Sequence, residues 1–351
     1  MNKSIICGLA ALVLAGSASA DWQDEERVRR MQDVAREARE QAEIETSRRR
    51  SRIDVFGFVQ FRWMYDNHSP DGVRHGFDVR KGVLGVKGRL AKDWSFVLSG
   101  EWTPDSSLEL RDAYVDGKNL FEGVDLRVGR FRMPFMAEWQ VNEPQLLGND
   151  YSLIAYTLGQ GRSEGVQLSK EFGEFDVQVS YNNGFETENT TVFGNEAWGM
   201  SGRIDWKLDD RVNIGGAMAY NSTDMSNGYS WTIDGRFTFT DELFGFASYT
   251  GQNDSGKGDA WGVLTQLGYT LEEDMVLFGQ YQAGEFTGTS EFLSIASVGL
   301  NYFFAPNVRW TNELGYSFNA IGSQWDVDQT GWSNSGRGGQ VLFTTQMTVS
   351  F

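Results

Sequence analysis

From residue 53 onward, apolar side chains recur at every second position through sixteen short segments, the period of a strand with two different faces. The last segment, 340–351, is the clearest. Val341, Phe343, Thr345, Met347, Val349 and Phe351 share one face, while Gln340, Thr344, Gln346, Thr348 and Ser350 share the other, and only Leu342 interrupts the polar side. Along 198–206, Trp198, Met200, Ile204 and Trp206 oppose Ser201, Arg203 and Asp205; along 231–239, Trp231, Ile233, Phe237 and Phe239 oppose Thr232, Asp234, Arg236 and Thr238. Along 308–319, Val308, Trp310, Leu314, Tyr316 and Phe318 oppose Arg309, Thr311, Glu313, Ser317 and Asn319. Two segments are less regular. In 76–90 neither face is uniformly apolar, and in 109–116 the alternation does not decide whether Arg111 or Asp112 points inward.

The connections alternate in length. Tight turns at 91–93, 171–174, 208–211, 241–242, 272–274 and 305–306 are interleaved with longer segments at 66–75, 133–163, 183–196, 222–229, 252–258, 284–290 and 321–339. Short turns at one end and long loops at the other are the signature of an up-and-down barrel whose apolar face meets outer-membrane lipid. The expected fold is therefore all-β, a 16-stranded antiparallel transmembrane β-barrel over 53–351 with both ends on the short-turn, periplasmic side. A barrel of about 16 strands leaves an aqueous channel, so inward Arg, Asp, Glu and hydroxyl rows belong to a lumen.

The segment before the barrel follows other rules. Lys3, an apolar run from Ile5 to Ala15 and the small residues Ser17 to Ala20 make residues 1–20 a cleaved signal peptide, which also carries away Cys7, the single cysteine. In 21–52, Val28, Met31, Ala35, Ala38, Ala42 and Glu45 recur at spacings of three and four. This predicts a short periplasmic α-helix, either a solvated helix or a coiled coil. Its nine acidic and nine basic residues cancel. The arginines Arg48, Arg49, Arg50 and Arg52 suit contact with a cell-wall polymer or anionic lipid, whereas a nucleic-acid partner does not fit an exported chain.

Composition adds 41 Gly, 5 Pro, 12 Trp and 24 Phe, an aromatic load without the Leu-rich runs of a soluble core. The motifs Leu110-Arg-Asp-Ala-Tyr-Val115 and Val124-Asp-Leu-Arg-Val-Gly-Arg-Phe-Arg-Met-Pro-Phe135 resemble the phosphate-selective porin O and P family. Gly165-Val-Gln-Leu, Tyr181-Asn-Asn-Gly184, Val298-Gly-Leu-Asn-Tyr302 and Pro306-Asn-Val-Arg309 extend the likeness in the same order. The resemblance implies 16-stranded, usually homotrimeric outer-membrane channels for small hydrophilic solutes and ions, with the third long loop folded into the pore. Here that loop is 133–163, the longest connection, with Tyr151, Tyr156, Leu153, Ile154 and Leu158 as apolar material for packing against a wall.

The alternation puts Arg62, Arg80, Arg127, Arg203, Arg236 and Arg309 in the lumen, with Arg111 undecided and Asp205, Asp234 and Glu313 among their acidic companions. Glu138, Glu143, Asp150, Tyr151, Tyr156 and Arg162 belong to the constriction loop. Such cations attract phosphate and other anions. The net charge of −17 pulls the other way, because acidic loops concentrate cations at the mouth, so ion preference stays open between the two. Enzymatic chemistry finds no support. His68 and His75 share the first long loop and lack a strand-held nucleophile, and 326–337 departs from a calcium loop because Arg337 occupies the position of the bidentate Glu. No cofactor or metal site is expected. The competing expectation is a plugged structural or adhesive barrel linked to the cell wall through 21–52.

Overall fold

The computed structural model describes residues 53–69, 72–102, 107–184, 197–222, 227–256, 258–289, 291–334 and 336–351. The expected signal peptide and periplasmic helix, and nearly all of the acidic loop 183–196, lie outside the described residues. Sixteen antiparallel strands close into one barrel in chain order, the last pairing with the first. They are β1 (Ile53–Ser69), β2 (Gly72–Arg89), β3 (Trp94–Trp102), β4 (Leu108–Phe121), β5 (Val124–Arg132), β6 (Arg162–Phe172), β7 (Phe175–Asn182) and β8 (Trp198–Lys207). The remainder are β9 (Val212–Ser222), β10 (Asn227–Thr238), β11 (Leu243–Asp254), β12 (Ala260–Glu272), β13 (Met275–Phe286), β14 (Glu291–Ala305), β15 (Val308–Ser317) and β16 (Val341–Ser350).

Closure is made by β16 against β1, where Ser350 stands opposite Phe58, and Phe351 exchanges two backbone hydrogen bonds of 3.0 Å with Gly57. The carboxy-terminal residue thus meets Gly57, and Ile53 runs on past it. The outward rows carry Ile204, Ile233, Leu267 and Leu314, all exposed as a lipid-facing band requires. Aromatic pairs border this band at both ends: Phe175 with Trp206, Phe237 with Phe239 and Phe304 with Trp310 beside the short turns, and Tyr181 with Trp198, Tyr229 with Trp231 and Tyr316 with Phe318 beside the long loops. Two such girdles are the interfacial anchors of a membrane barrel.

Two irregularities explain the two segments whose alternation was unclear. Gln60 pairs with Lys81 and Phe61 with Val79, so Arg80 is an extra residue, a β-bulge, and both Arg80 and Lys81 face the lumen. Outward residues are then Phe77 and Val79 on one side of the bulge and Leu84 and Val86 on the other, a switch of parity that blurs both faces in the sequence. In the same way Ser99 pairs with Asp112 and Gly100 with Leu110, leaving Arg111 as the extra residue. Arg111 and Asp112 both point inward. The first long loop is also shorter than its polar residues suggest: β1 reaches Ser69 and β2 starts at Gly72, so His68 and His75 stand on strand extensions, with His68 Nδ1 2.9 Å from the Gly339 carbonyl.

Residues 133–161 fold inside the barrel. They form α1 (Ala137–Gln140), a 3-10 turn at Glu143–Gln145 and α2 (Leu153–Leu158), which is capped by Ser152 Oγ accepting from Ala155 N–H. The β15–β16 connection enters from the long-loop end and buries Ile321, Trp325 and Trp332 in the same apolar cluster as Leu153, Ile154 and Leu158. Leu342, the one apolar residue on the polar face of β16, joins that cluster.

Candidate functional site

The site is the contact between this inner loop and the lumenal wall. On the β1–β5 side the contact is ionic. Arg80, 1% exposed, reaches Asp150 from Nε (2.9 Å) and Nη2 (2.5 Å) and also donates to the Tyr156 hydroxyl at 3.1 Å. Glu143 is held by three cations: Arg111 at 2.5 Å, Arg132 at 3.2 Å and Lys81 at 3.5 Å. Glu101 on β3 takes the remaining valence of Lys81 (2.9 Å) and Arg111 (2.5 Å). Arg132 turns in from the end of β5 and donates to the Trp139 and Val141 carbonyls, fixing the loop backbone as well as its charge. Arg162, the first residue of β6, pairs with Asp112 at 2.9 Å.

These pairs set the chemistry of the loop. Burial raises the Glu143 carboxyl, but the charges of Arg111, Lys81 and Arg132 outweigh it and hold the group well below the usual carboxylate range. Asp150 follows the same balance, with Arg80 as the main lowering charge. Glu138 differs because no cation faces it. Its carboxylate accepts from Ser152 N–H (2.9 Å) and Oγ (2.6 Å), tying α1 to α2, yet burial pushes it up to about 7. Tyr151 lies tilted against Trp139 and Tyr156 meets it edge-on, at ring separations of 4.4 and 5.5 Å, and burial raises both phenols.

The remaining candidates divide by partner. Arg62 pairs with Asp78 and donates to the Gln329 carbonyl of the β15–β16 connection, which also offers its side chain to Arg80. Arg127 pairs with Asp116 at 2.7 Å and lies 4.1 Å over the Tyr114 ring; Asp125, its neighbour in sequence, pairs with Lys118 instead. Arg203 is clamped by Asp205 (2.5 Å) and Asp234 (2.8 Å) and donates to the Phe135 carbonyl. Gly215 makes room for this triad, since a Cβ there would lie 2.1 Å from the Arg203 guanidinium. Glu313 accepts from Asn149 N–H and Nδ2, so Arg309 is left donating to the Leu146 carbonyl with Nε and Nη2 unpartnered. Arg236 has a single contact, 3.4 Å to the Ala137 carbonyl. Among the described residues, Arg236 and Arg309 are thus the two candidate arginines with no carboxylate within 4.0 Å.

Lys81, Glu101, Asp112, Asp116 and Arg132 complete the network and were not singled out in the sequence. The bulges hide two of them, Lys81 and Asp112, because a strict period of two assigns Arg80 and Lys81, or Arg111 and Asp112, to opposite faces.

A model of the Gram-negative porin family matches residues 8–321. The chain belongs to that family: it is an outer-membrane porin, a channel for passive diffusion. No curated protein matches it. Among solved structures it is similar to the anion-selective porin of Comamonas acidovorans, with a TM-score of 0.66 at 15% identity, covering 86% of this chain and 100% of that one. OprB of Pseudomonas putida gives a TM-score of 0.67 at 12% identity over 85% of this chain and 94% of that one. The trimer form of OmpT from Vibrio cholerae gives 0.61 at 13% over 86% and 100%. At these identities the likeness is one of fold.

Proposed function

We propose that the passage is set by the inner loop and that the wall arginines serve first to hold it. The observation that carries this reading is the clamp itself: Glu143 and Asp150, acids of the loop, are each seated on buried wall cations. A cation that already has a carboxylate partner offers little to a passing anion, so the basic row is not a phosphate ladder. Ion preference is then weak and rests on the least compensated groups, Arg236 and Arg309. Small hydrophilic solutes and ions cross without chemistry, and residues Arg62, Arg80, Arg111, Arg127 and Arg203 line the lumen as neutralised pairs.

In this reading residues 1–20 direct export and are removed, and 21–52 stand in the periplasm as a helix in reach of the cell wall. The assembly is a homotrimer, in keeping with the trimer form of the structurally similar OmpT. The packing of the β15–β16 connection onto the inner loop, with Ile321, Trp325 and Trp332 beside Leu153, Ile154 and Leu158, favours the plugged structural barrel as a second reading. Purified protein in planar bilayers separates the two, with stepwise currents expected for the porin and silent membranes for the plug. Reversal potentials in a KCl gradient then read the preference, and a strong selectivity of either sign would contradict a lumen of neutralised pairs.

A further inference from the structure

We propose that the short-turn side of the inner loop carries a subsite for small organic anions with an aromatic body, an inference that rests on the porin reading above. Four inward residues stand in one cross-strand row: Asn213 opposite Arg236, Arg236 opposite Phe246, and Phe246 opposite Gln266. They line a cavity of about 480 Å³ with Phe244 and Leu147, a volume in the range of ordinary ligand sites. The row therefore sets a guanidinium between an amide and a ring, with a second phenyl group one step nearer the turns.

The chemistry follows from what each group lacks. Arg236 is exposed, and its one contact is a long bond to the Ala137 carbonyl, so its donors are available to a carboxylate in a way that those of Arg203 are not. The acids around the cavity are already engaged. Glu138 is bound to Ser152, Asp210 pairs with Lys207 at 3.1 Å, and Asp209 accepts from the Arg211 and Val212 amides. Phe244 and Phe246 offer ring faces and edges at the lumenal surface, where a polar wall would be the rule for a water-filled channel. A carboxylate on Arg236 with its aromatic ring against Phe246 satisfies both groups, whereas inorganic phosphate leaves the rings unused and a neutral sugar leaves the charge unused.

Benzoate, acetate, benzyl alcohol and glucose distinguish these cases when their block of KCl current is titrated in planar bilayers holding the full protein. Benzoate should block at a concentration about tenfold below acetate, because only benzoate buries a ring. Arg236→Gln should raise the half-blocking concentration of benzoate about tenfold, the loss of one hydrogen bond to a charged group. Phe246→Ala should remove the preference of benzoate over acetate. Equal block by acetate and benzoate overturns the aromatic part, and equal block by benzyl alcohol or glucose overturns the anionic part. An unchanged benzoate titration in Arg236→Gln overturns the site as a whole. Current in KCl alone, read in the same membranes, reports on the porin reading separately.

Discussion

The two sides of the lumen hold the same loop by opposite means. Against β1–β5 the contact is a lattice of buried ion pairs through Arg80, Lys81, Arg111 and Arg132. Against β9–β14 it is chiefly apolar packing, of Leu153, Ile154 and Leu158 with Ala217, Ala219, Ala260, Leu293 and Ile295, joined by isolated hydrogen bonds such as Leu153 N–H to Gln282 and no ion pair among the described residues. The strand backbone comes so close there that a Cβ on Gly262 would lie 2.6 Å from Ile154. Apolar burial is non-directional and supplies adhesion, whereas a charged hydrogen bond has a direction and supplies register. The difference teaches that the basic wall is read wrongly when taken alone, since its partners are acids contributed by a loop as far as 70 residues along the chain, as for Arg80 and Asp150.

The largest expected effect comes from the charged side. Glu143→Ala leaves Arg132 without its carboxylate and Lys81 and Arg111 leaning on Glu101, in a buried place, at a cost of about 3–5 kcal/mol. Amide exchange across residues 133–161 should accelerate, while the barrel strands stay protected. Next comes the apolar side: Ile154→Ala should cost about 2–4 kcal/mol of loop packing by opening a cavity against Gly262. Its effect on the same amides should be insensitive to acid, unlike that of the ionic side.

Titration sharpens the contrast further. Glu138 is raised to about 7 from an ordinary value of 4.5, so the packed loop favours the neutral carboxyl. The stability tied to that proton is present below pH 4.5 and is lost as pH rises through 7. Glu143 and Asp150 are held low, so their contribution is present above the ordinary carboxylate values and is lost as pH falls through their depressed ones. Loop fluctuations, read as current noise, should therefore be smallest near pH 5, and Glu138→Gln should flatten the rise toward pH 8 while leaving the acid limb in place. The smallest effect is expected from Arg236→Gln, a shift of a few millivolts in reversal potential toward cations, because one exposed charge is largely screened.

Much of the barrel was legible in the sequence because lipid on one side and water on the other impose a period of two. Phe343 and Gln346 declare their faces without help from any other strand. The network was less legible because it depends on register. A bulge at Arg80 or Arg111 changes no residue type, yet it decides which side chains share a face. The partners are also set across strands rather than along them: Arg127 pairs with Asp116 on the neighbouring strand, and Arg80 with Asp150 in the loop. Trp325 and Trp332 gave no alternating signal, since they lie in 3-10 and irregular backbone; Trp325 is buried against Phe286 of β13, and Trp332 lies over Gly315 of β15.

Single-channel conductance of the double variant Glu143→Ala, Asp150→Ala beside the unaltered protein tests the clamp most directly. If the wall cations hold the loop across the lumen, the double variant conducts in larger and noisier steps at neutral pH. Steps of unchanged size would contradict the account, because the loop would then keep its place without the acids that are here assigned to hold it.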